Sequence, residues 1–292
     1  MVKAKRGATG LSGVIAVDKP AGMTSHDVVD RLRRITGEGR IGHAGTLDPA
    51  ATGLLLVCIG PATRLSSALM EGEKVYEAHI AFGSATSTDD AEGEVVATAA
   101  LPEGLADEGF ARSVLAGFEG EQDQMPPRFS AIKKNGRKAY ELARAGRPVE
   151  LEPRRVVVHR LRLVGAGAAH WDIEARVSKG TYIRALARDL GEAVGSRAHL
   201  GALRRTRVGA VSVARAHTLE ELAHRADGAA QADAPGGARA DVSDGPDAPC
   251  GARAAREQAI RACFLDPASL PPLPCHAVPT APEGDEEDER AR

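Results

Sequence analysis

The 292-residue sequence lacks the features of several protein classes. Its four cysteines, Cys58, Cys250, Cys263 and Cys275, form no CxxC pair and do not cluster with histidines at zinc-ligand spacing. This spacing argues against a disulfide framework or a structural zinc site. No run of 18 apolar residues occurs, and no apolar signal core follows the basic start MVKAKRGATG. We therefore expect a protein of the reducing cytoplasm that does not associate with a membrane.

Aromatic residues are scarce, at 3% of the chain, whereas apolar residues as a whole make up 43%. The core must therefore be built mainly from valine, leucine, isoleucine and alanine. The chain is long enough for one large domain and a small second unit.

Neither sign of charge dominates the chain, whose net charge is −2, but its two parts differ. Residues 226–292 carry 6 arginines and 13 acidic residues, a balance of −7, which leaves +5 for the residues before them. A mildly basic body can attract a polyanion, although many ordinary domains carry as much positive charge.

The composition divides the chain into three segments. We predict a basic N-terminal tail at 1–10, a folded domain at 11–225, and an acidic, low-complexity and mostly disordered segment at 226–292. The last segment is rich in alanine, glycine, aspartate and proline, and such a composition buries too little apolar surface to offset the entropy of ordering. A short helix is expected within it at 252–265.

Strands and helices alternate without a steady β-α-β rhythm, which predicts an α+β fold with a mixed, largely antiparallel sheet flanked by helices. The capping box of Thr24 and Asp27, an apolar stripe and Gly37 predict a helix between these residues. The segment KVYEAHIAF alternates as a strand with Tyr76 facing the core. Further strands are expected at 14–17, 154–164 and 171–177, and further helices at 107–118 and 181–194.

The stretch RIGHAGTLDPAATGLLLVCIG, residues 40–60, places Asp48 between a glycine-containing loop and an apolar run typical of a buried strand. Pro49 disfavours the helical conformation at Asp48 and so stiffens the loop. For the Asp-Pro dipeptide in isolation, a turn cap is the better interpretation, and a nucleophile or a general base is the alternative. A metal site would need more oxygen ligands than the loop provides.

An ionised nucleophile needs a cation that holds it charged and oriented. Arg184 is a candidate, because it falls in the first turn of a helix if Thr181 is the N-cap. A cation at that place opposes the helix dipole and requires compensation. Exposure of Arg184 to solvent is the alternative.

Two basic segments are candidates for contact with phosphates. A tight hairpin turn at Asn135 and Gly136 is flanked by lysines and arginines, and RRTR occupies residues 204–207. Solvated side chains are the alternative in both cases.

Six segments occur in an order that resembles one protein family over roughly residues 11–220. They are VDKPAGMTSHDVV, GRIGHAGTLDPAATGLLLVCIGPATRL, KVYEAHIAFG, TSTDDAEG, PPRFSAIKKNGRKAYELARAG and VSKGTYIRALARDLG. Together they resemble the bacterial tRNA pseudouridine synthase B family. The resemblance implies a pseudouridine synthase fold, a catalytic domain at 11–225, and isomerisation of uridine 55 in the T-loop of tRNA without metal or organic cofactor.

The resemblance also implies roles for individual residues. Asp48 corresponds to the catalytic aspartate that attacks the base or the sugar of the flipped uridine, and Arg184 to the arginine that pairs with it. Tyr76 corresponds to the aromatic residue that stacks on the target base and is a candidate for removing the C5 proton. Without the resemblance, a core position is the better interpretation of Tyr76.

Four further residues are implied to bind substrate. His43 corresponds to the histidine that fills the space left by the extruded nucleotide, and Leu203 to an apolar residue of the uracil pocket. Lys19 is expected to serve the local structure of its motif as much as the substrate. Asp90 either contacts RNA bases or caps its loop.

The resemblance is incomplete at the C-terminus, where members commonly carry a small RNA-binding domain and this chain has no clear PUA-like equivalent. The expected partner is tRNA, through its T-loop and elbow, and we expect a monomer with no obligatory protein partner. Two alternatives stay open: a pseudouridine synthase directed by a guide RNA within a ribonucleoprotein, and a tRNA-binding folding chaperone whose catalysis is incidental.

Overall fold

The computed structural model describes residues 9–130, 133–134, 137–138, 151–232 and 250–270. The strands are β1 Gly13–Lys19, β2 Ile41–Ala44, β3 Thr52–Ile59, β4 Lys74–Phe82, β5 Ser84–Thr86, β6 Val95–Thr98, β7 Gly120–Gln124, β8 Lys133–Lys134, β9 Arg137–Lys138, β10 Arg154–Ala166, β11 His170–Val177, β12 Ala198–Val208 and β13 Val211–Ser212. The helices are α1 Ser25–Thr36, α2 Ser66–Met70, α3 Glu108–Ala116, α4 Ile183–Ala193, α5 Leu219–Ala232 and α6 Cys250–Arg261. Short 3₁₀ turns occupy Gly60–Leu65, Val213–Arg215 and Pro267–Ser269.

Nine of the strands in these ranges form one mixed sheet. Its path runs β1, β3, β12, β4, β11, β10, β7, with β2 paired to β3 and β13 to β12. Every pairing in this sheet is antiparallel except that of β12 with β3. The predicted α+β class and the largely antiparallel sheet are therefore confirmed.

Strand β4 lies near the middle of the sheet and alternates as its sequence predicts. Tyr76, Ala78, Ile80 and Phe82 are all buried on one face, where they belong to the same apolar cluster as residues of α3 and α4. The helices cover this face because strand alternation places every second residue of β4 and β11 toward them.

The other half of the sheet packs against α1, α5 and α6. Helix α1 begins with the predicted capping box of Thr24 and Asp27 and ends at Gly37, whose φ of 69° is the left-handed conformation favoured by glycine. Strand β3 is buried along almost its whole length, as expected of the apolar run after Asp48. None of the described helices combines the length and apolarity needed to cross a membrane.

The described part of the segment after residue 225 packs onto the body, and α6, Cys250–Arg261, overlaps the short helix expected at 252–265. Ile260, Cys263 and Leu265 are buried, and the Leu265 amide donates to the carbonyl of Val14 on β1 at 2.8 Å. A side chain at Gly13 would overlap the ring of Phe264, so glycine there makes room for the returning chain.

Candidate active site

Asp48 lies in the loop between β2 and β3, and backbone contacts hold that loop in place. The hydroxyl of Ser25, at the start of α1, accepts from the Leu47 amide at 2.9 Å and donates to the Leu47 carbonyl at 3.1 Å. A turn follows in which the Ala51 amide donates to the Asp48 carbonyl at 3.1 Å. The carboxylate is therefore presented by a braced loop, as the proline and glycines predict.

Lys19 braces the same loop from beneath. Its side chain is fully buried, and Nζ donates to the carbonyls of Pro20, Met23 and Pro49 at 2.8, 2.6 and 3.1 Å. Burial lowers the pKa of Lys19, whereas the nearby charge of Asp48 acts to raise it. These contacts explain its local structural role, and its role toward substrate stays a prediction.

Arg184 pairs with Asp48 through two hydrogen-bond donors. Nε lies 3.0 Å from Oδ2 of Asp48 and Nη2 lies 3.3 Å from Oδ1, although the two residues are 136 positions apart in the chain. The arginine is buried, at 6% exposure. Such a two-point contact fixes the orientation of the carboxylate as well as its charge.

The remaining donors of Arg184 are also engaged. Nη1 lies 3.4 Å from Oδ2 of Asp90 and 3.1 Å from the Thr88 carbonyl, and Nη2 lies 2.9 Å from the Phe129 carbonyl. The N-cap of α4 is Tyr182 and not the predicted Thr181. Arg184 is the second residue of the helix and therefore lies in its first turn, as predicted. The two carboxylates supply the compensation that a cation at this helix end requires.

Asp90 is held on its own loop as well as by Arg184. Its Oδ1 accepts from the Thr88 hydroxyl and from the Glu92 amide, the latter at 3.1 Å. This supports the loop-cap interpretation of Asp90, and the contact with Arg184 places the same carboxylate beside Asp48.

Opposing influences act on the pKa of Asp48. Burial raises it most, Arg184 and Lys19 lower it, and Asp90 raises it, with a net direction upward. The side chain nevertheless keeps 40% of its surface exposed. Asp48 thus combines an anchored carboxylate with an open side that a substrate can approach.

Tyr76 and Leu203 share the sheet face that adjoins this loop. Tyr76 on β4 is opposite Arg205 on β12, and Leu203 is opposite Ala78, so both side chains point to the same side. Tyr76 is 8% exposed and belongs to an apolar cluster that includes Leu47. Leu203 packs against the same cluster. The structure therefore groups the two apolar candidates with the residue next to Asp48.

His43 lies on β2, with its ring 5.4 Å from that of His26 in an edge-to-face arrangement. Burial first, then the proximity of His26 and Arg205, lowers the pKa of His43 to about 4. Among the described residues its buried Nδ1 has no hydrogen-bond partner. The ring is therefore uncharged at neutral pH.

The stability of the protein should consequently depend on His43 at mildly acidic pH. The unfolded chain binds a proton on this histidine below about pH 6.5, whereas the folded chain does so only below about pH 4. As the pH is lowered from about 6.5 to about 4, the free energy of unfolding should decrease by up to about 3 kcal/mol. Urea denaturation of wild type and His43→Gln should show a shallower fall in the variant, because glutamine does not titrate.

The matched control for this measurement is His224→Gln, which changes an exposed histidine on α5. It should follow the wild-type curve. Identical slopes for His43→Gln and wild type would contradict the assignment.

A second ion pair beside Arg184 was not anticipated. Arg188, one helical turn further along α4, places Nη1 3.2 Å from Oδ2 of Asp89 and donates through Nη2 to the Met125 carbonyl at 2.8 Å. Asp89 has a φ of 60°, a conformation uncommon outside glycine. The sequence contains a signal for this second pair. Arg184 and Arg188 are four residues apart and so lie on one face of α4, and the adjacent Asp89 and Asp90 offer one carboxylate to each.

Two of the three arginines in RRTR, residues 204–207, form hydrogen bonds within the protein, whereas Arg207 is exposed, so phosphate contact by this segment stays a prediction. Arg205 is 1% exposed and donates to the carbonyls of Leu54 and Gly45 at 2.7 and 3.1 Å. Arg204 donates to both carboxylate oxygens of Asp18 at 3.0 and 2.7 Å. Strand alternation turns Arg205 inward, where it supports the loop that carries Asp48.

The basic hairpin can be described only in part. Strands β8 and β9 pair antiparallel with Lys134 opposite Arg137, as a tight hairpin requires. The turn residues Asn135 and Gly136 lie outside the described residues. Phosphate contact by this hairpin stays a prediction.

Comparison with known proteins places this arrangement in a family. Residues 33–183 match the N-terminal domain model of TruB family pseudouridylate synthases, and residues 184–234 match the tRNA pseudouridylate synthase B C-terminal domain. The tRNA pseudouridine synthase B of Thermobifida fusca is 52% identical over 219 residues, which cover 72% of this chain and 74% of that protein. That of Bordetella avium is 45% identical over 75% of this chain and 90% of its own.

Solved structures show the same fold. One chain of a Cbf5-Nop10-Gar1 complex is 32% identical, with a TM-score of 0.57 over 73% of this chain and 54% of that one. An archaeal box H/ACA sRNP Nop10-Cbf5 complex contains a chain that is 29% identical, with a TM-score of 0.54 over 73% of this chain and 53% of that one. This chain thus spans about half the length of those two. From its sequence matches and its fold, the chain belongs to the TruB family of pseudouridylate synthases.

Proposed function

We propose that this enzyme converts uridine 55 in the T-loop of tRNA to pseudouridine, with Asp48 as the nucleophile. The observation that carries the proposal is the two-point contact of the buried Arg184 with the half-exposed Asp48. An arginine in this position favours the ionised carboxylate and aims it.

The reaction is a rearrangement in which no atom is gained or lost overall. The bond between uracil N1 and ribose C1′ breaks, the uracil turns over, and a bond between C5 and C1′ forms. C5 gives up a proton and N1 ends with one. Asp48 supplies the electron pair that lets the first bond break, by attack either on the sugar or on the base, and it is released when the new bond forms. Neither oxidation nor reduction is involved, and we propose that no cofactor takes part.

A base within folded RNA must leave its stack before a carboxylate can reach it, at a cost of a few kcal/mol. In this proposal the ring of Tyr76 stacks on the extruded uracil and returns about 1–3 kcal/mol of that cost. Leu203, on the same sheet face, adds an apolar wall to the base pocket.

His43 fills the position that the nucleotide vacates. Its depressed pKa, about 4, makes it a neutral ring under physiological conditions. It therefore acts by shape and stacking, since an uncharged ring gives no ion pair with phosphate. Asp90 and Lys19 serve the site through Arg184 and the Asp48 loop.

The sequence comparisons support tRNA as the substrate without a guide RNA. Relatives named tRNA pseudouridine synthase B are 45–52% identical over about three quarters of the chain, whereas the matching chains of the two Cbf5-containing complexes, one of them a box H/ACA sRNP, are 29–32% identical. We propose a cytoplasmic enzyme that acts as a monomer.

Chemical mapping of pseudouridine tests the substrate. The purified full chain is incubated with a T-arm stem-loop RNA that contains uridine at position 55, with no guide RNA and with chelator present. Carbodiimide mapping should then report pseudouridine at that position alone. The matched control is the same RNA with the uridine moved by one position, which should stay unmodified. Modification of both RNAs, of neither, or only after a guide RNA is added would overturn the proposal.

A further inference from the structure

Two histidines and an aspartate meet on the sheet face opposite Tyr76. On β4, residues 76 and 79 point to opposite sides, so His79 faces away from the apolar cluster of Tyr76. Asp172 on β11 is directly opposite His79, and His170, two residues earlier, points to the same side. Within the described ranges, one ligand atom from each of these three residues lies within 4.8 Å of the others.

The contacts of this group converge on one carboxylate. Nδ1 of His79 lies 2.7 Å from Oδ1 of Asp172, and Nε2 of His170 lies 3.7 Å from Oδ2. The two imidazole rings are stacked with their centroids 4.9 Å apart. The three side chains are 39–45% exposed, so solvent and dissolved ions reach them.

The backbone around the two histidines is shaped to admit their rings. A Cβ at Gly201, in the irregular part of β12, would lie 2.6 Å from Cδ2 of His79. A Cβ at Gly167, in the turn before β11, would lie 2.3 Å from Cε1 of His170. A larger residue at either glycine would therefore require the neighbouring ring to shift.

We propose that His79, His170 and Asp172 form a binding site for a divalent first-row transition metal ion of the zinc type. Two imidazole nitrogens and one carboxylate oxygen are a ligand set that suits such ions and leaves a coordination position for water. Metal–ligand bonds of about 2.0–2.2 Å place the ligand atoms of a tetrahedral site about 3.3 Å apart. The separations of 2.7 and 3.7 Å run to different oxygens of Asp172, and the three ligand atoms lie within 4.8 Å of one another, so the side chains must rotate to enclose an ion.

The position of the site defines its role. It connects β4 with β11 on the side of the sheet away from Tyr76, so a bound ion stabilises this strand pair and takes no part in the isomerisation. An ion that binds only the folded chain raises its thermal stability.

Calorimetric titration of the full chain with zinc, after chelator treatment and dialysis, tests the proposal. One ion should bind per chain and raise the unfolding temperature. His170→Ala and Asp172→Asn should each weaken binding by at least about 10-fold, since loss of even an outer contact of a metal site costs that much. His199→Ala is the matched control, because this histidine is on the same sheet face but Nδ1 is directed at the Ser84 carbonyl 3.0 Å away.

Cobalt(II) distinguishes this site from binding by the cysteines. Its complex with the wild-type chain should show visible d–d bands without near-ultraviolet thiolate absorption, and His170→Ala should remove these bands. Absence of zinc binding, unchanged affinity in both cluster variants, or a thiolate band would each overturn the proposal. Pseudouridine formation should be the same with zinc and with chelator, so failure here leaves the proposed function untouched.

Discussion

Replacing Asp48 with asparagine should abolish pseudouridine formation and leave RNA binding within about threefold of wild type. Asparagine has nearly the same shape, but its amide carries no charge and cannot act as the nucleophile. Loss of the central nucleophile of an enzyme lowers the rate by about 10⁴-fold or more. Single-turnover kinetics on a T-arm RNA measure the rate, and fluorescence anisotropy with the same RNA measures binding.

The matched control is Asp30→Asn on α1. Asp30 is 53% exposed and pairs with Arg33 on the same helix, so this variant should retain wild-type turnover. Appreciable turnover by Asp48→Asn would remove Asp48 from its proposed role. Full biological rescue by an inactive Asp48→Asn protein would favour the alternative function of a tRNA-folding chaperone.

Replacing Arg184 with methionine should shift the pH dependence of the reaction as well as its rate. The active form of Asp48 is the carboxylate, and Arg184 acts to lower a pKa that burial raises. Without the cation the pKa of Asp48 rises further, so the acidic limb of the kcat/KM profile moves to higher pH. Turnover at neutral pH should also fall by about 10²-fold or more, because the carboxylate loses its two-point support.

The same variant should be less stable, since Asp90 is 13% exposed and would be left without its cation. Breaking a buried ion pair from one side costs about 3–5 kcal/mol, which urea denaturation will register. Arg184→Lys provides a milder companion: it keeps the charge and should keep the acidic limb near that of wild type, but it loses the planar two-point contact and therefore turnover.

Arg188→Met is the matched control for Arg184→Met. It removes the same type of charge one turn along α4, from a residue that pairs with Asp89 instead of Asp48. It should lower stability without moving the acidic limb. An equal shift in both variants, or none in Arg184→Met, would contradict a specific role of Arg184 in ionising Asp48.

Local sequence patterns predicted the elements that depend on near neighbours. The capping box of Thr24 and Asp27 and the terminating Gly37 are present in α1. The alternation of β4, with Tyr76 on its buried face, is also present. In each case the interacting residues are a few positions apart, so the sequence alone contains the relevant contacts.

Residue identity at the candidate site was also accessible, because the segments around Asp48 and Arg184 match a family pattern. Their pairing at 3.0 Å is confirmed by the structure. The N-cap of α4 is Tyr182, one residue after the predicted Thr181. The side chain of Gln124 on β7 accepts from the amide of Tyr182 and donates to its carbonyl. That contact spans 58 positions and has no local signal.

Arg205 shows most clearly why side-chain roles resisted prediction. In the sequence it is one of several arginines in a basic segment, and in the structure it supports the Asp48 loop from inside the core. The direction of a strand side chain depends on register, and register depends on which strands pair. The packing of Ile260 and Leu265 onto the body is a similar case.

The sequence by itself therefore determined the class of fold, the local elements and the family of the chain, whose pattern singles out Asp48, Tyr76 and Arg184. Only the tertiary structure decided that Arg205 is internal, that Arg188 pairs with Asp89, and that His79 meets His170 and Asp172. The physical reason is the range of the forces involved. Helix caps and strand alternation act within a few residues, whereas buried ion pairs and ligand clusters require distant segments to be brought together by strand pairing and core packing.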